Sequence, residues 1–247
     1  MTAPLFLADA DPEAFRTCER IVLAGDEGRH AAVVRRITAG ETVDLTDGTG
    51  HLARCRVVAA DKHGITCEVT DRIDVPAPQP RIVVAQALPK QDRGETAVET
   101  MTEVGVDTIV PWSAARCMVR WKGERGDKAL RRWRSTAREA AKQARRAWLP
   151  DVTAPVTTNE LADLVRGASL GVVLHEEAGG RIGELDVPAA GEVVIVVGPE
   201  GGVTPEEIEI LEEAGAVTVR LGPTVLRTST AGTVAAGVLL AATDRWR

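Results

Sequence analysis

The 247-residue chain contains no CxxC pair. Cys18, Cys55, Cys67 and Cys117 stand far apart, so the sequence offers neither a zinc-ligand spacing nor a disulfide framework. Reduced, buried thiols are expected, and no metal site. No apolar run approaches the length needed to cross a bilayer. The apolar stretch 4–8 is followed too soon by Asp9 and Asp11 to serve as a signal peptide, so a cytoplasmic location is expected. Neither GxGxxG nor GxxxxGK followed by Ser or Thr occurs, which disfavours a nicotinamide enzyme and an ATPase. Internal repeats and low-complexity tails are also missing. What is present is 44% hydrophobic residues, enough for the core of one large domain or of two ordinary ones.

The formal charge of −6 argues at first against a nucleic-acid partner, but it is distributed unevenly. Between Arg116 and Arg146 twelve Lys/Arg face three acids, a net +9 that leaves −15 for the rest of the chain. Read on a helix over 127–148, Arg131, Arg134, Arg138, Lys142 and Arg145 fall on one stripe, with Trp133, Ala137, Ala140, Ala144 and Trp148 on another. The basic stripe suits phosphate contacts. Trp112 and Trp121 are candidates to stack on bases, with core packing as the alternative.

Three alternating prolines, Pro76, Pro78 and Pro80, mark an extended linker over 74–81. Before it, in a domain over 1–73, short β-type runs at 4–8, 20–23, 42–46, 51–59 and 64–70 predict a small β-barrel. One helix at 26–37 would turn Ala31, Val34 and Ile37 inward. In the domain over 82–247 the pattern becomes α/β. Strands are expected at 82–88, 108–110, 170–174, 193–197 and 217–221, and helices at 95–104, 127–148, 159–166, 205–214 and 229–245. Val193-Val194-Ile195-Val196-Val197 lacks polar alternation, as a parallel strand covered on both faces should.

The strongest local pattern runs from that strand through Gly198-Pro199-Glu200-Gly201-Gly202 into Thr204-Pro205-Glu206-Glu207. Thr204 is placed to cap a helix, Pro205 to open it, and Glu207 to complete a capping box. Glycines at the carboxyl end of a strand let backbone approach a ligand closely. Glu200 would repel a pyrophosphate, so ribose hydroxyls, an adenine edge or a cationic centre suit the turn better. A second turn, Leu221-Gly222-Pro223-Thr224-Val225-Leu226-Arg227-Thr228-Ser229, precedes a helix rich in Ala and Gly, compatible with a buried core helix or with close backbone approach.

These two turns, with Leu174-His175-Glu176 before them, resemble the C-terminal signature of the RsmE family of 16S ribosomal RNA (uridine-N3)-methyltransferases of the SPOUT superfamily. Further matches are Ala87-Leu88-Pro89-Lys90 with Asp92, Arg93 and Glu95; Thr102-Glu103-Val104-Gly105-Val106; Glu139-Ala140-Ala141; and His30, Val34 and Arg36 before Gly40-Glu41. The resemblance spans the whole chain. It implies a PUA-like β-barrel followed by an α/β SPOUT domain with a C-terminal trefoil knot, a homodimer, and S-adenosylmethionine as methyl donor. Carried over by motif, the donor pocket comprises Leu174, His175, Gly198, Glu200, Gly201, Leu221, Gly222, Leu226, Arg227 and Thr228. His30 and Arg36 become second-site RNA contacts. Thr100, Lys142 and Ser229 depart from the usual pattern, and no catalytic role is assigned to them.

Uracil N3 carries a proton at neutral pH, so a methylating site must stabilise the anion left by its loss. A cation aimed at the flanking carbonyl oxygens would do so. Arg227 is the first candidate and Arg93 the second; for either, the alternative is a structural ion pair. Methylation of transfer RNA or of another ribosomal site, and RNA binding without catalysis, remain open alternatives.

Overall fold

The computed structural model describes residues 3–8, 12–90 and 93–246. The chain divides into two compact units. One holds the described residues up to Ala77 together with Ala141–Leu149, and the other holds the remainder.

The first unit is a five-stranded sheet in the order β1-β3-β4-β5-β2, formed by Leu5–Leu7 (β1), Arg20–Leu23 (β2), Thr42–Thr46 (β3), His51–Asp61 (β4) and Gly64–Asp74 (β5). β4 and β5 make a long hairpin whose turn is fixed by Asp61, which accepts from the amides of His63 and Gly64. Alternate residues point inward, and Val43, Leu45, Cys55, Val57, Ile65 and Cys67 build the core with Phe6 and Ile21. The expected barrel is, among the described residues, a sheet with two edges. Among the described residues the three-residue β1 pairs only with β3, in parallel, and no ladder joins β1 to β2.

The helix expected at 26–37 breaks up. Gly25–Arg29 (α2) gives way to a π turn over His30–Val34, and the wider turn re-aims its residues: Ala31 and Ile37 are buried, but Val34 is 68% exposed. A short helix, Pro12–Thr17 (α1), was not expected. Burial pushes the thiols of Cys55 and Cys67 up to about 12 and about 11, and raises that of Cys117, whereas Cys18 is exposed and corrects the expectation of four buried thiols.

The second unit is a parallel sheet in the order β10-β12-β9-β11-β6-β7-β8. Its strands are Arg81–Ala87 (β6), Thr108–Trp112 (β7), Asp151–Val152 (β8), Leu170–Leu174 (β9), Gly180–Arg181 (β10), Glu192–Val197 (β11) and Ala216–Arg220 (β12). Its helices are Arg93–Val104 (α3), Gly123–Gln143 (α4), Thr158–Gly167 (α5), Pro205–Glu213 (α6) and Thr228–Ala241 (α7). The central strands are buried throughout. After β12, on the far side of β9, the chain returns so that α7 packs on β6, β11 and α3. The small residues of α7 make this possible. A Cβ on Gly232 would come within 2.9 Å of Met101 Sδ and 3.2 Å of Val84 Cγ1, so α7 is a core helix.

Helix α4 begins and ends earlier than the sequence suggests. Arg145 adopts a left-handed backbone, φ 56°, just past its end, and 141–149 pack with the first unit rather than the second. Trp148 Nε1 donates to Val75 O, Leu149 N to Gly48 O, and Lys142 Nζ lies 2.6 Å from Glu27 Oε1. These bonds draw the segment out of the contiguous domain expected over 82–247.

Candidate functional site

The site grows from the carboxyl ends of three neighbouring parallel strands. Register pairs Val173 of β9 with Val196 of β11, and Leu174 with Val219 of β12. Leu174, Gly198 and Leu221, each half-buried, therefore emerge at the same end of the sheet. His175 follows Leu174, its amide donating to Val219 O and its Nδ1 accepting from the Glu177 amide.

At the end of β11 the chain turns at Gly198. A Cβ there would approach Val203 Cγ2 to 2.7 Å, so only glycine keeps the turn closed. Gly202 has φ +76°, its amide donating to Pro199 O across the turn. Helix α6 then starts as the sequence predicts: Thr204 and Glu207 exchange both capping-box bonds, with Pro205 in the first turn. The carboxylate of Glu207 does more than cap. It is buried and also accepts from the Ala115 amide at 2.8 Å and from Thr158 Oγ1 at 3.0 Å, fixing the loop after β7 against this turn. Arg120 braces the same loop by donating to Ala114 O and Ala115 O. Arg116, within that loop, donates from Nη1 to Gly201 O at 3.1 Å.

Glu200 accepts from the Lys90 amide at 3.2 Å and lies 3.8 Å from Arg93 Nη1. Arg93 is thus an ion-pair partner of Glu200, its structural alternative. Asp92 lies outside the described residues. Arg227 is the N-cap of α7 and exposed, and among the described residues its guanidinium has no hydrogen-bond or ion-pair partner. Gly222, Leu226 and Arg227 belong to an exposed turn, while Thr228 is buried and its Oγ1 donates to Gly198 O at 2.8 Å, joining the two glycine turns. Arg227 supplies no side-chain cap to α7, and the amides of Thr230 and Ala231 donate to its carbonyl oxygen.

The structure divides the sequence-predicted basic stripe. Arg131 is exposed and has no partner among the described residues, Arg134 donates to Val152 O, and Arg138 is partly buried. Lys142 is withdrawn into its ion pair with Glu27, where it is 10% exposed, and is no phosphate contact. Arg145 is exposed but lies beyond the helix. In the first unit, His30 packs edge-on against Phe6 with ring centroids 6.3 Å apart, and Arg36 is exposed with φ 55°. Trp112 is fully buried with Nε1 donating to Thr158 Oγ1, which rules out base stacking, and Trp121 packs edge-on against Trp133.

Three members of this site were not legible as such in the sequence: Arg116, the tertiary contacts of Glu207, and Gln86. Gln86 is buried in β6, donating from Nε2 to Thr228 Oγ1 at 2.9 Å and to Ala87 O at 3.1 Å. A lone amide in the apolar run 82–88 was the signal available for it. Among the described residues no cluster of three or more His, Cys, Asp or Glu is arranged to hold a metal, and no helix is long and apolar enough to cross a membrane.

A family model described as an RNA methyltransferase domain matches residues 76–240, and one described as an RNA methyltransferase PUA domain matches 23–70. A ribosomal RNA small subunit methyltransferase E from Mycobacterium bovis is 49% identical over all of this chain and 94% of its own length. Among solved structures, a ribosomal RNA small subunit methyltransferase E from Neisseria gonorrhoeae bound to S-adenosyl methionine superposes with a TM-score of 0.85 at 25% identity, covering 97% of this chain and 98% of the other. A Legionella pneumophila structure with bound SAM gives 0.87 at 26%, covering 98% and 99%.

Proposed function

Since the chain belongs to the RNA methyltransferase family, we propose that it is an S-adenosylmethionine-dependent methyltransferase of small-subunit 16S ribosomal RNA, acting at N3 of a uridine. The observation that carries this reading is the joining of the two glycine turns by the Thr228–Gly198 hydrogen bond at the carboxyl end of the parallel sheet. The residues present fit the donor. Gly198 keeps the first turn closed against Val203, Gly222 lies in open space, Leu174, Leu221 and Leu226 supply apolar surface, and Glu200 offers a carboxylate for a cationic ligand. The return of α7 across β11 and β6 supports a threaded, knotted C-terminus.

When bound, S-adenosylmethionine supplies an electrophilic methyl group on a sulfonium. The remaining work belongs to the chain. The turns align donor and acceptor and exclude water, converting a bimolecular encounter into an in-line displacement within one complex. Arg93 and the Lys90 amide hold Glu200 in place. Arg227, exposed and with no guanidinium partner among the described residues, would stabilise the negative charge developing on the uracil carbonyl oxygens as the N3 proton leaves.

RNA affinity rests on exposed cations of α4. Arg131→Ala is expected to weaken binding to all RNA sequences alike and to lower the slope of log affinity against log salt by about 1, read by fluorescence anisotropy at several ionic strengths. His30 and Arg36 would contact a second part of the RNA. The exposed Val234, Val238 and Trp246 on and after α7 support a homodimer. A cytoplasmic location accords with a ribosomal substrate.

Methyl incorporation into unmodified small subunits, naked 16S RNA and transfer RNA tests the whole reading. Incorporation into the small-subunit substrate, recovered as 3-methyluridine, is expected. Incorporation only into transfer RNA would redirect the substrate, and failure to bind S-adenosylmethionine would leave a non-catalytic RNA-binding protein.

A further inference from the structure

Beneath the two glycine turns lies Gln86, fully buried in the strand run Ile82-Val83-Val84-Ala85-Gln86-Ala87-Leu88. Its orientation is dictated by its neighbours. Thr228 Oγ1 spends its proton on Gly198 O, so it must accept from Gln86, and Ala87 O is an acceptor as well; the nitrogen of the carboxamide therefore faces both. The oxygen, Oε1, is then left buried with no hydrogen-bond partner among the described residues. A leucine would fill this position without stranding a polar atom, and buried acceptors without donors are rare in folded chains.

We propose that Gln86 is a positioning residue for the methyl-donor site. Its carboxamide N–H locks the Thr228 hydroxyl onto Gly198 and so holds both turns in register. Its unpaired carbonyl oxygen is an acceptor that is satisfied by an N–H or O–H group only when the donor site fills. The inference rests on the donor reading of the two turns and adds to it a buried polar relay that links β6, the end of β11 and the start of α7.

Calorimetry of the full-length protein with S-adenosylmethionine, alongside melting temperatures with and without it, tests this. Gln86→Leu is expected to raise the donor Kd at least tenfold and to shrink the thermal shift on donor addition. A Kd within twofold of the unsubstituted protein overturns the proposal. Gln86→Glu provides a second route should the leucine variant misfold. A protonated carboxyl there supplies O–H to Thr228 and a carbonyl in place of Oε1, whereas an ionised one supplies no donor. Donor binding by Gln86→Glu should therefore tighten as pH falls through that buried carboxyl's raised pKa, a step the unsubstituted protein lacks. An identical pH profile in both proteins overturns the proposal. If the unsubstituted protein itself fails to bind S-adenosylmethionine, the donor reading falls and this inference with it; normal binding by protein and variants alike removes the inference alone.

Discussion

Arg227→Ala is expected to lower the rate of methyl transfer by about 10²–10³-fold, the usual consequence of removing one group aimed at developing negative charge. Donor binding should fall far less, because the turns proposed to cradle the donor are tied together by Thr228 and Gly198 and not by the Arg227 side chain. Single-turnover incorporation into saturating RNA, with calorimetry for the donor, separates the two effects. A pH profile sharpens the assignment. Above neutrality uracil N3 ionises progressively without help, so the variant should recover activity as pH rises, while a purely structural arginine would show no such recovery. Full transfer by Arg227→Ala with normal donor binding would exclude the role. Arg93→Ala should instead weaken donor binding first, since Arg93 sits against Glu200.

The second large effect concerns stability. Arg245, in the final turn of the chain, grips Asp107 from both guanidinium ends, Nη1 to Oδ2 at 2.6 Å and Nη2 to Oδ1 at 3.2 Å. It also donates to Pro80 O and Gly105 O. Asp107 is 4% exposed and further accepts from the Ile82 amide, so Arg245→Ala would remove both guanidinium contacts from a buried carboxylate and one donor from each of two backbone carbonyls. The expected cost is about 3–5 kcal/mol, seen as a fall in melting temperature of roughly 10 °C. Arg245→Lys should recover only part of it, since an ammonium cannot reproduce the two-pronged contact. A change within about 0.5 kcal/mol, typical of surface substitutions, would mean the pair is unimportant.

Arg245 also shows where sequence reading stops. Small apolar residues continue the helical pattern toward 245, yet α7 ends at Ala241, and the chain folds into a short 3-10 turn that brings Arg245 to Asp107, 138 residues away. No local preference encodes that partner. Lys142 teaches the same lesson on the basic stripe. Helical spacing put it in line with Arg131, Arg134 and Arg138, but an acid at position 27 claims it. Trp112 looked available for stacking and is instead the floor of the core.

By itself the sequence determined the features that depend on short-range rules. Uninterrupted apolar runs specified parallel strands, glycines specified the two turns, and Thr204 with Glu207 specified the start of α6, because sterics and capping bonds act within a few residues. Its ordered motifs also carried the family resemblance. Only the tertiary structure decided which distant groups meet. The order of strands in the sheet brings Gln86, Gly198 and Thr228 together, long-range hydrogen bonds hold 141–149 to the first unit, and Arg93 is engaged by Glu200 while the Arg227 guanidinium has no partner among the described residues. Long-range hydrogen bonds and ion pairs form where chain crossovers make neighbours of remote residues, and spacing along the chain carries no record of those crossovers.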